Sequence, residues 1–223
     1  MSSGFRYVHR VAAELMEYFS PSRLGNKRNP FNELVYIMLS SSTPPDRYQR
    51  VYRAVRRRYR TAEQFAKARP ASLARIMRAG GLQNRKAKAI VSIARRLRAV
   101  FGRVTLSPLA RMSNEEAEAF LVSLPEISTK AARCILLYSL GREVFPVDRH
   151  CFRICQRLGW IPASRTLTES TADFIQRGIP GELRLHLHVG MVLLGRTNCL
   201  PRNPRCQECP LLASCPTGPR LLV

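Results

Sequence analysis

The residues of this chain best suited to chemistry are four late cysteines, one isolated lysine and one aspartate. Cys199, Cys206, Cys209 and Cys215 follow the spacing C-x6-C-x2-C-x5-C in an irregular, proline-rich stretch. Four thiolates on so short a loop can converge on one metal centre. Zinc accepts four sulfurs, but its structural sites usually pair two short C-x2-4-C hooks, and this stretch has only one. A 4Fe-4S cube also takes four thiolates and tolerates uneven spacing, so it is the expected cofactor, with zinc the alternative. Arg202 and Arg205 stand between the first two cysteines. Folding the loop around a metal would project both guanidinium groups outward, where they could meet phosphate.

The lysine is Lys130, in Leu124-Pro125-Glu126-Ile127-Ser128-Thr129-Lys130-Ala131-Ala132. That run reads as a tight turn between two helices, with Lys130 in the first turn of the second. The positive end of a helix dipole disfavours the protonated amine there and makes it a better nucleophile. Only five of the 37 basic residues are lysine (Lys27, Lys67, Lys86, Lys88 and Lys130), and Lys130 is the only one after Lys88. A chain that otherwise writes Arg for positive charge keeps an amine here. Eighteen residues on, in Phe145-Pro146-Val147-Asp148, the Asp148 carboxylate is either a catalytic group or no more than the N-cap of the next helix.

Helices must position these groups. Apolar residues recur at three and four along most of the chain, and no segment sustains the alternation of a strand, so the fold class is all-α. Val8, Val11, Ala12, Leu15, Met16 and Phe19 form the inner stripe of a first helix. A loop over Pro21 to Pro30 follows, then a helix over Phe31 to Ser40, apolar on nearly every side and expected to be buried. Asp46 can cap a third helix, which carries Tyr48, Val51, Tyr52, Val55 and Tyr59 on one face. Its other face is arginine-rich, either solvated or turned to phosphate. Further helices are expected over 70–79, 84–101, 113–124, 129–140, from Asp148, over 169–175 and over 182–194. Periodicity ends at Cys199, so the last segment must be tied down by something other than a core of its own. Cys134, Cys151 and Cys155 sit at helical positions on apolar faces and read as core thiols.

Composition narrows the partners. The formal net charge of +22 on 223 residues makes this a protein that seeks anions, and 45% hydrophobic residues suffice for a folded core. No apolar run approaches the length of a membrane span, and the N-terminus lacks the order of a signal peptide, so no membrane role is expected. Seven cysteines, an odd number, suit metal ligands and buried thiols in a soluble intracellular protein better than disulfides.

Taken together, the hairpin with its lysine, the Pro-Val-Asp after it and the cysteine spacing resemble endonuclease III and its relatives, the helix-hairpin-helix DNA glycosylases. The resemblance extends to Pro30-Phe31-Asn32-Glu33-Leu34 with Met38-Leu39-Ser40, and to Gly81-Leu82-Gln83-Asn84-Arg85-Lys86-Ala87. It implies a helical bundle domain over 24–142, carrying the helix-hairpin-helix, beside a 4Fe-4S cluster domain built from 1–23 and 143–223. It implies that Lys130 is the nucleophile, that Asp148 is the catalytic carboxylate and that Leu82 wedges into the base stack. The partner would be double-stranded DNA holding a damaged base or an abasic site, bound by a monomer. A bacterial source would place the protein in the cytoplasm with the nucleoid. The activity implied is release of oxidised or saturated pyrimidines, followed by strand cleavage 3′ to the abasic site by β-elimination.

Three departures stand out. The family's hairpin has glycines where this chain has Glu126 and Ser128, so the hairpin is expected to hold phosphate less closely, with the Glu126 carboxylate repelling it. Ser42 stands where most relatives place a glutamine that enters the duplex opposite the leucine. The segment between Leu82 and Lys130 is longer than usual and, with Arg153-Ile154-Cys155-Gln156-Arg157-Leu158-Gly159-Trp160, looks more like the glycosylase domain of the plant 5-methylcytosine demethylases. A modified-pyrimidine glycosylase is therefore one alternative, and an abasic lyase or a non-catalytic DNA-binding module another. The adenine-mismatch glycosylases share the cysteine spacing but use a glutamate in the early buried helix. That place is Tyr36 here, with Glu33 about one turn away.

Overall fold

A computed structural model of the chain describes Phe5, residues 7–19 and residues 24–221. The other positions of segment 1–23, including the start of the loop expected over 21–30, lie outside the described residues. Among the described residues the structure is helical and contains no strand. In chain order the helices are α1 (Val8–Tyr18), α2 (Pro30–Ser40), α3 (Pro45–Arg58), α4 (Glu63–Ala66), α5 (Pro70–Ile76) and α6 (Gln83–Phe101). They continue as α7 (Asn114–Val122), α8 (Thr129–Leu140), α9 (Arg149–Arg157), α10 (Glu169–Gly178) and α11 (Arg184–Thr197). The chain divides into two compact units, Asn26–Arg142 and Met1–Gly25 with Glu143–Val223. No helix among the described residues is long and apolar enough to cross a membrane.

The Asn26–Arg142 unit is organised around α2. Asn29 caps it by accepting the Asn32 amide at 3.0 Å, and Pro30 supplies a preset φ at its first position. Every residue from Leu34 to Leu39 is buried, as is Phe31. Each such side chain contributes about 1.5–3 kcal/mol when removed from water. α2 packs on α8 and α3, while α6 lies on α4 and α5. Tyr48, Val51, Tyr52 and Val55 form the buried face of α3, and Arg47, Arg50, Arg53, Arg57 and Arg58 are exposed. α7 opens with a capping box in which Ser113 Oγ accepts the Glu116 amide and Glu116 accepts the Ser113 amide. Arg133, buried on α8, is held by two bonds to Glu118 at 2.8 and 3.1 Å.

In the other unit α1 and α9 pack on α11. Its core includes Val11, Leu15, Phe145, Ile154, Trp160, Ile175, Leu187 and Met191. Cys151 and Cys155 are fully buried here, and Cys134 is buried in the first unit. Burial pushes the Cys151 and Cys155 thiols well up, which keeps them protonated and inert.

Several details depart from the sequence expectations. Met16 is 48% exposed rather than part of the inner stripe of α1. α3 begins at Pro45 with Pro44 as its N-cap, so Asp46 lies inside the helix, where it pairs with Arg50 at 3.1 Å. The short α4 and a 3-10 turn over Ser107–Arg111 fill two separate stretches with no expected element. The helix expected over 182–194 begins as a 3-10 turn, Gly181–Leu183, and runs on to Thr197.

Candidate active site

Lys130 occupies the first turn of α8, the helix that follows the hairpin. Ser128 is the N-cap of that helix, its Oγ accepting the Ala131 amide at 3.3 Å. With φ −82° it lies in the extended region, where a Cβ costs nothing, so no glycine is needed at this position. Glu126 differs. The Ile127 amide reaches the Leu124 carbonyl at 3.3 Å, closing a four-residue turn with Pro125 second and Glu126 third, and Glu126 has φ +63°. A positive φ at that place is the signature of a type II turn, which favours glycine. Holding a glutamate there costs about 1–3 kcal/mol.

Two other loops border the same cavity in the same left-handed backbone conformation. Ser42, just past the end of α2, has φ +54°, and Leu82, immediately before α6, has φ +49°. Leu82 is also 57% exposed, so an apolar side chain stands in water on a strained backbone. Backbone strain of this kind clusters at functional sites. The cavity, of about 460 Å³, is lined by Ser42, Leu82, Arg85, Lys86, Glu126, Ser128 and Lys130, among others. The residues of α2 that reach it are Ile37, Met38 and Ser40.

Two residues of this site were not singled out from the sequence. Lys86 is buried, and its Nζ donates to the Leu39 carbonyl (3.2 Å), the Ser41 carbonyl (2.7 Å) and Thr43 Oγ1 (3.1 Å). Thr43 Oγ1 in turn donates to the Gly80 carbonyl at 2.6 Å. One ammonium thus ties the end of α2 and the Ser42 turn to the loop that presents Leu82. Burial holds this amine below the usual lysine range. Arg85, on the first turn of α6, places Nε 2.7 Å from Glu126 Oε2. The hairpin carboxylate expected to repel phosphate is therefore paired with a cation. The scarcity of lysine could have flagged Lys86; only the folded hairpin reveals Arg85.

Glu33 and Tyr36 lie elsewhere on α2. Glu33 is fully buried and accepts the Lys27 amide. The Tyr36 ring meets those of Tyr48 and Tyr52 at 5.3 and 5.2 Å, with Lys27 Nζ 4.5 Å from its centroid. Neither residue lines the cavity with Lys130.

Asp148, in the second unit, is half-buried and caps α9. Its Oδ1 accepts the amides of His150 (2.9 Å) and Cys151 (2.8 Å). Beside it, burial lowers the His150 imidazole below its ordinary range.

The four cysteines of the terminal loop are free thiols, each partly exposed. Burial first, then the neighbouring thiols of Cys199, Cys215 and Cys206, push Cys209 up to about 11. As the side chains stand, no group of three or more His, Cys, Asp or Glu among the described residues could hold a metal ion. It is the donor chemistry that fits one. Four thiols on one short loop are the donor set that a four-sulfur metal centre takes. Arg157 organises both ends of the loop. Its Nη1 donates to Cys199 Sγ (3.0 Å) and the Leu200 carbonyl (2.8 Å), while its own carbonyl accepts from Thr217 (2.6 Å) and Cys215 Sγ (3.5 Å). Arg153 Nη2 reaches the Cys199 carbonyl at 2.7 Å. Arg202 and Arg205 are both exposed, and the Arg205 amide is fixed to the Asn198 carbonyl at 2.9 Å.

Residues 35–177 match the family model described as the HhH-GPD superfamily base excision DNA repair protein. The chain is 30% identical to the endonuclease III of Thermotoga maritima over 208 residues, 93% of this chain and 92% of that protein. It is 29% identical over 170 residues to Protein ROS1A of Oryza sativa subsp. japonica, covering 69% of this chain but 9% of that protein. Among solved structures, a trapped endonuclease III–DNA covalent intermediate shares the fold, with a TM-score of 0.82 at 24% identity over 98% of this chain and 99% of that one.

Proposed function

Because the chain belongs to the endonuclease III-like members of the HhH-GPD superfamily of base excision DNA repair proteins, we propose that it is a bifunctional DNA glycosylase and AP lyase acting on damaged pyrimidines. The observation that carries this reading is the cavity that brings Lys130 together with a strained, exposed Leu82 and the hairpin. Double-stranded DNA is the partner, met by a monomer carrying net charge +22.

The sugar C1′ of a stacked nucleotide is out of reach, so the damaged nucleotide must be flipped out, which costs a few kcal/mol and least for a base that stacks poorly. Leu82 fills the hole left in the stack, as apolar wedges do elsewhere. The Lys130 amine attacks C1′ as the base leaves with the electrons of the glycosidic bond. Asp148 offsets the positive charge developing on the sugar and accepts a proton from the attacking amine. The aminal then opens to a Schiff base between Nζ and C1′. Loss of a proton from C2′ expels the 3′ phosphate, and water releases the unsaturated sugar from the enzyme.

A 4Fe-4S cluster bound by Cys199, Cys206, Cys209 and Cys215 would tie down a loop that has no core of its own. Bound there, it would supply structure to the loop. Arg157 and Arg153 hold the first cysteine for it, and Arg202 and Arg205 carry positive charge outward toward phosphate.

Oxidised and saturated pyrimidines are favoured over intact 5-methylcytosine because their damaged rings are cheaper to unstack. The test is borohydride trapping on duplexes holding an abasic site, thymine glycol or 5-methylcytosine. The wild-type chain should trap on the first two and Lys130→Ala on none. Adducts undiminished in Lys130→Ala would overturn the reading, and faster release of 5-methylcytosine would overturn the substrate.

A further inference from the structure

Arg85, on the first turn of α6, and Glu126, in the hairpin turn, both line the cavity, and they meet at 2.7 Å through Nε and Oε2. Glu126 holds this position in a left-handed conformation that glycine would adopt without strain. A surface ion pair of this kind contributes little stability, so the pair does not account for a glutamate at that place. What it does is fix Arg85. The side chain is 68% exposed, and an arginine so exposed would otherwise sample many rotamers. With Nε engaged by the carboxylate, both terminal Nη groups and their four N–H donors are left for a second anion. Arg85 lies one helical turn from Leu82, and Glu126 lies four residues before Lys130. The pair and Lys130 line the same cavity.

We propose that Arg85, oriented by Glu126, binds a DNA phosphate beside the nucleotide attacked by Lys130, with Glu126 as its positioning residue. The hairpin then grips the backbone through a side chain borrowed from α6 and does not need the close backbone approach that glycines permit. Binding the Nη fork to phosphate leaves the Nε bond to Glu126 intact, so one carboxylate and one phosphate share the guanidinium.

This inference rests on the reading of the chain as a DNA glycosylase, and its test uses equilibrium binding so that the two can fail separately. Affinity for a duplex with a tetrahydrofuran abasic-site analogue is measured against salt for the wild type, Arg85→Ala, Glu126→Gln and the double variant. Arg85→Ala should weaken binding about tenfold and reduce the salt slope by about 0.9, one phosphate's worth. Glu126→Gln should weaken binding when Arg85 is present and strengthen it in the Arg85→Ala background, where only its bare charge is removed. Melting temperatures report any change of fold, which by itself would leave the salt slope unmoved. An unchanged slope in Arg85→Ala, or the same effect of Glu126→Gln in both backgrounds, overturns the proposal. Normal binding through Arg85 without any trapped adduct would spare it and sink the reading of the chain as a bifunctional glycosylase and AP lyase.

Discussion

Replacing Lys86 by methionine tests whether one buried amine holds the catalytic loops in place. Its Nζ makes three hydrogen bonds, but they are not equal. Leu39 is 1% exposed, so its carbonyl cannot recruit water once the ammonium is gone, and a lost charge-assisted bond to a buried group costs about 1.5–3 kcal/mol. Ser41 is exposed and Thr43 half-exposed, so water can restore those two at a cost of about 0.5 kcal/mol each. Methionine also removes the penalty of burying an ammonium, which returns part of the loss. The net expectation is a destabilisation of about 2 kcal/mol, or a fall of roughly 4–8 °C in melting temperature for a chain of this size. Without the ammonium, the Ser42 turn and the Leu82 loop are joined mainly through the Thr43–Gly80 bond and should drift, and a displacement near 1 Å costs up to about 100-fold in the chemical step. Thermal melting and single-turnover base release measure the two effects. Lys86→Arg decides the reasoning. A planar guanidinium cannot present three donors to acceptors gathered around one point, so it should lose both stability and turnover. An arginine variant with wild-type melting and rate would refute the claim that an amine is required.

Other perturbations separate structure from chemistry. Asp148→Asn keeps an N-cap oxygen and should leave melting nearly unchanged while slowing base release, whereas Asp148→Ala should also lose about 1 kcal/mol in denaturant unfolding. Arg157→Met removes the donors to Cys199 Sγ and the Leu200 carbonyl, so the proposed cluster should lose iron to a chelator faster, measured by the decay of visible absorbance. His150, depressed by burial and by Arg153 and Arg196 against the opposing pull of Asp148, takes up its proton later in the folded chain than in the unfolded one. Its burial therefore costs stability increasingly as pH falls through the unfolded value of about 6.5 toward the lower folded one. Unfolding followed from pH 7.5 to 5 should show a steeper loss in the wild type than in His150→Gln, and parallel curves would exclude this residue as a source.

Much of this molecule was legible because helices announce themselves locally. The stripe of α3, the stop at Gly141 after α8 and the capping box of α7 are all written in residues three or four apart. α4 was not visible because four residues cannot show a period. Met16 misled because one apolar residue at the edge of a stripe is free to stay in water. At the site, Lys130 could be named from its place at the start of a helix and Leu82 and Glu126 from the family resemblance, but Lys86 meets its acceptors across more than forty residues of chain, as Arg85 meets Glu126. The hairpin shows the limit in one place. Ser128 and Glu126 both stand where the resemblance expects glycine, and only the fold distinguishes the one that is an ordinary N-cap from the one that is strained.

The account turns on which amine meets the sugar, and Lys86 lines the same cavity as Lys130. The most direct measurement is to reduce the wild-type chain with borohydride on an abasic duplex, digest the adduct and locate the sugar remnant by mass spectrometry. The account predicts the added mass on the peptide containing Lys130, at its Nζ. A remnant on Lys86 or on the N-terminal amine would contradict it.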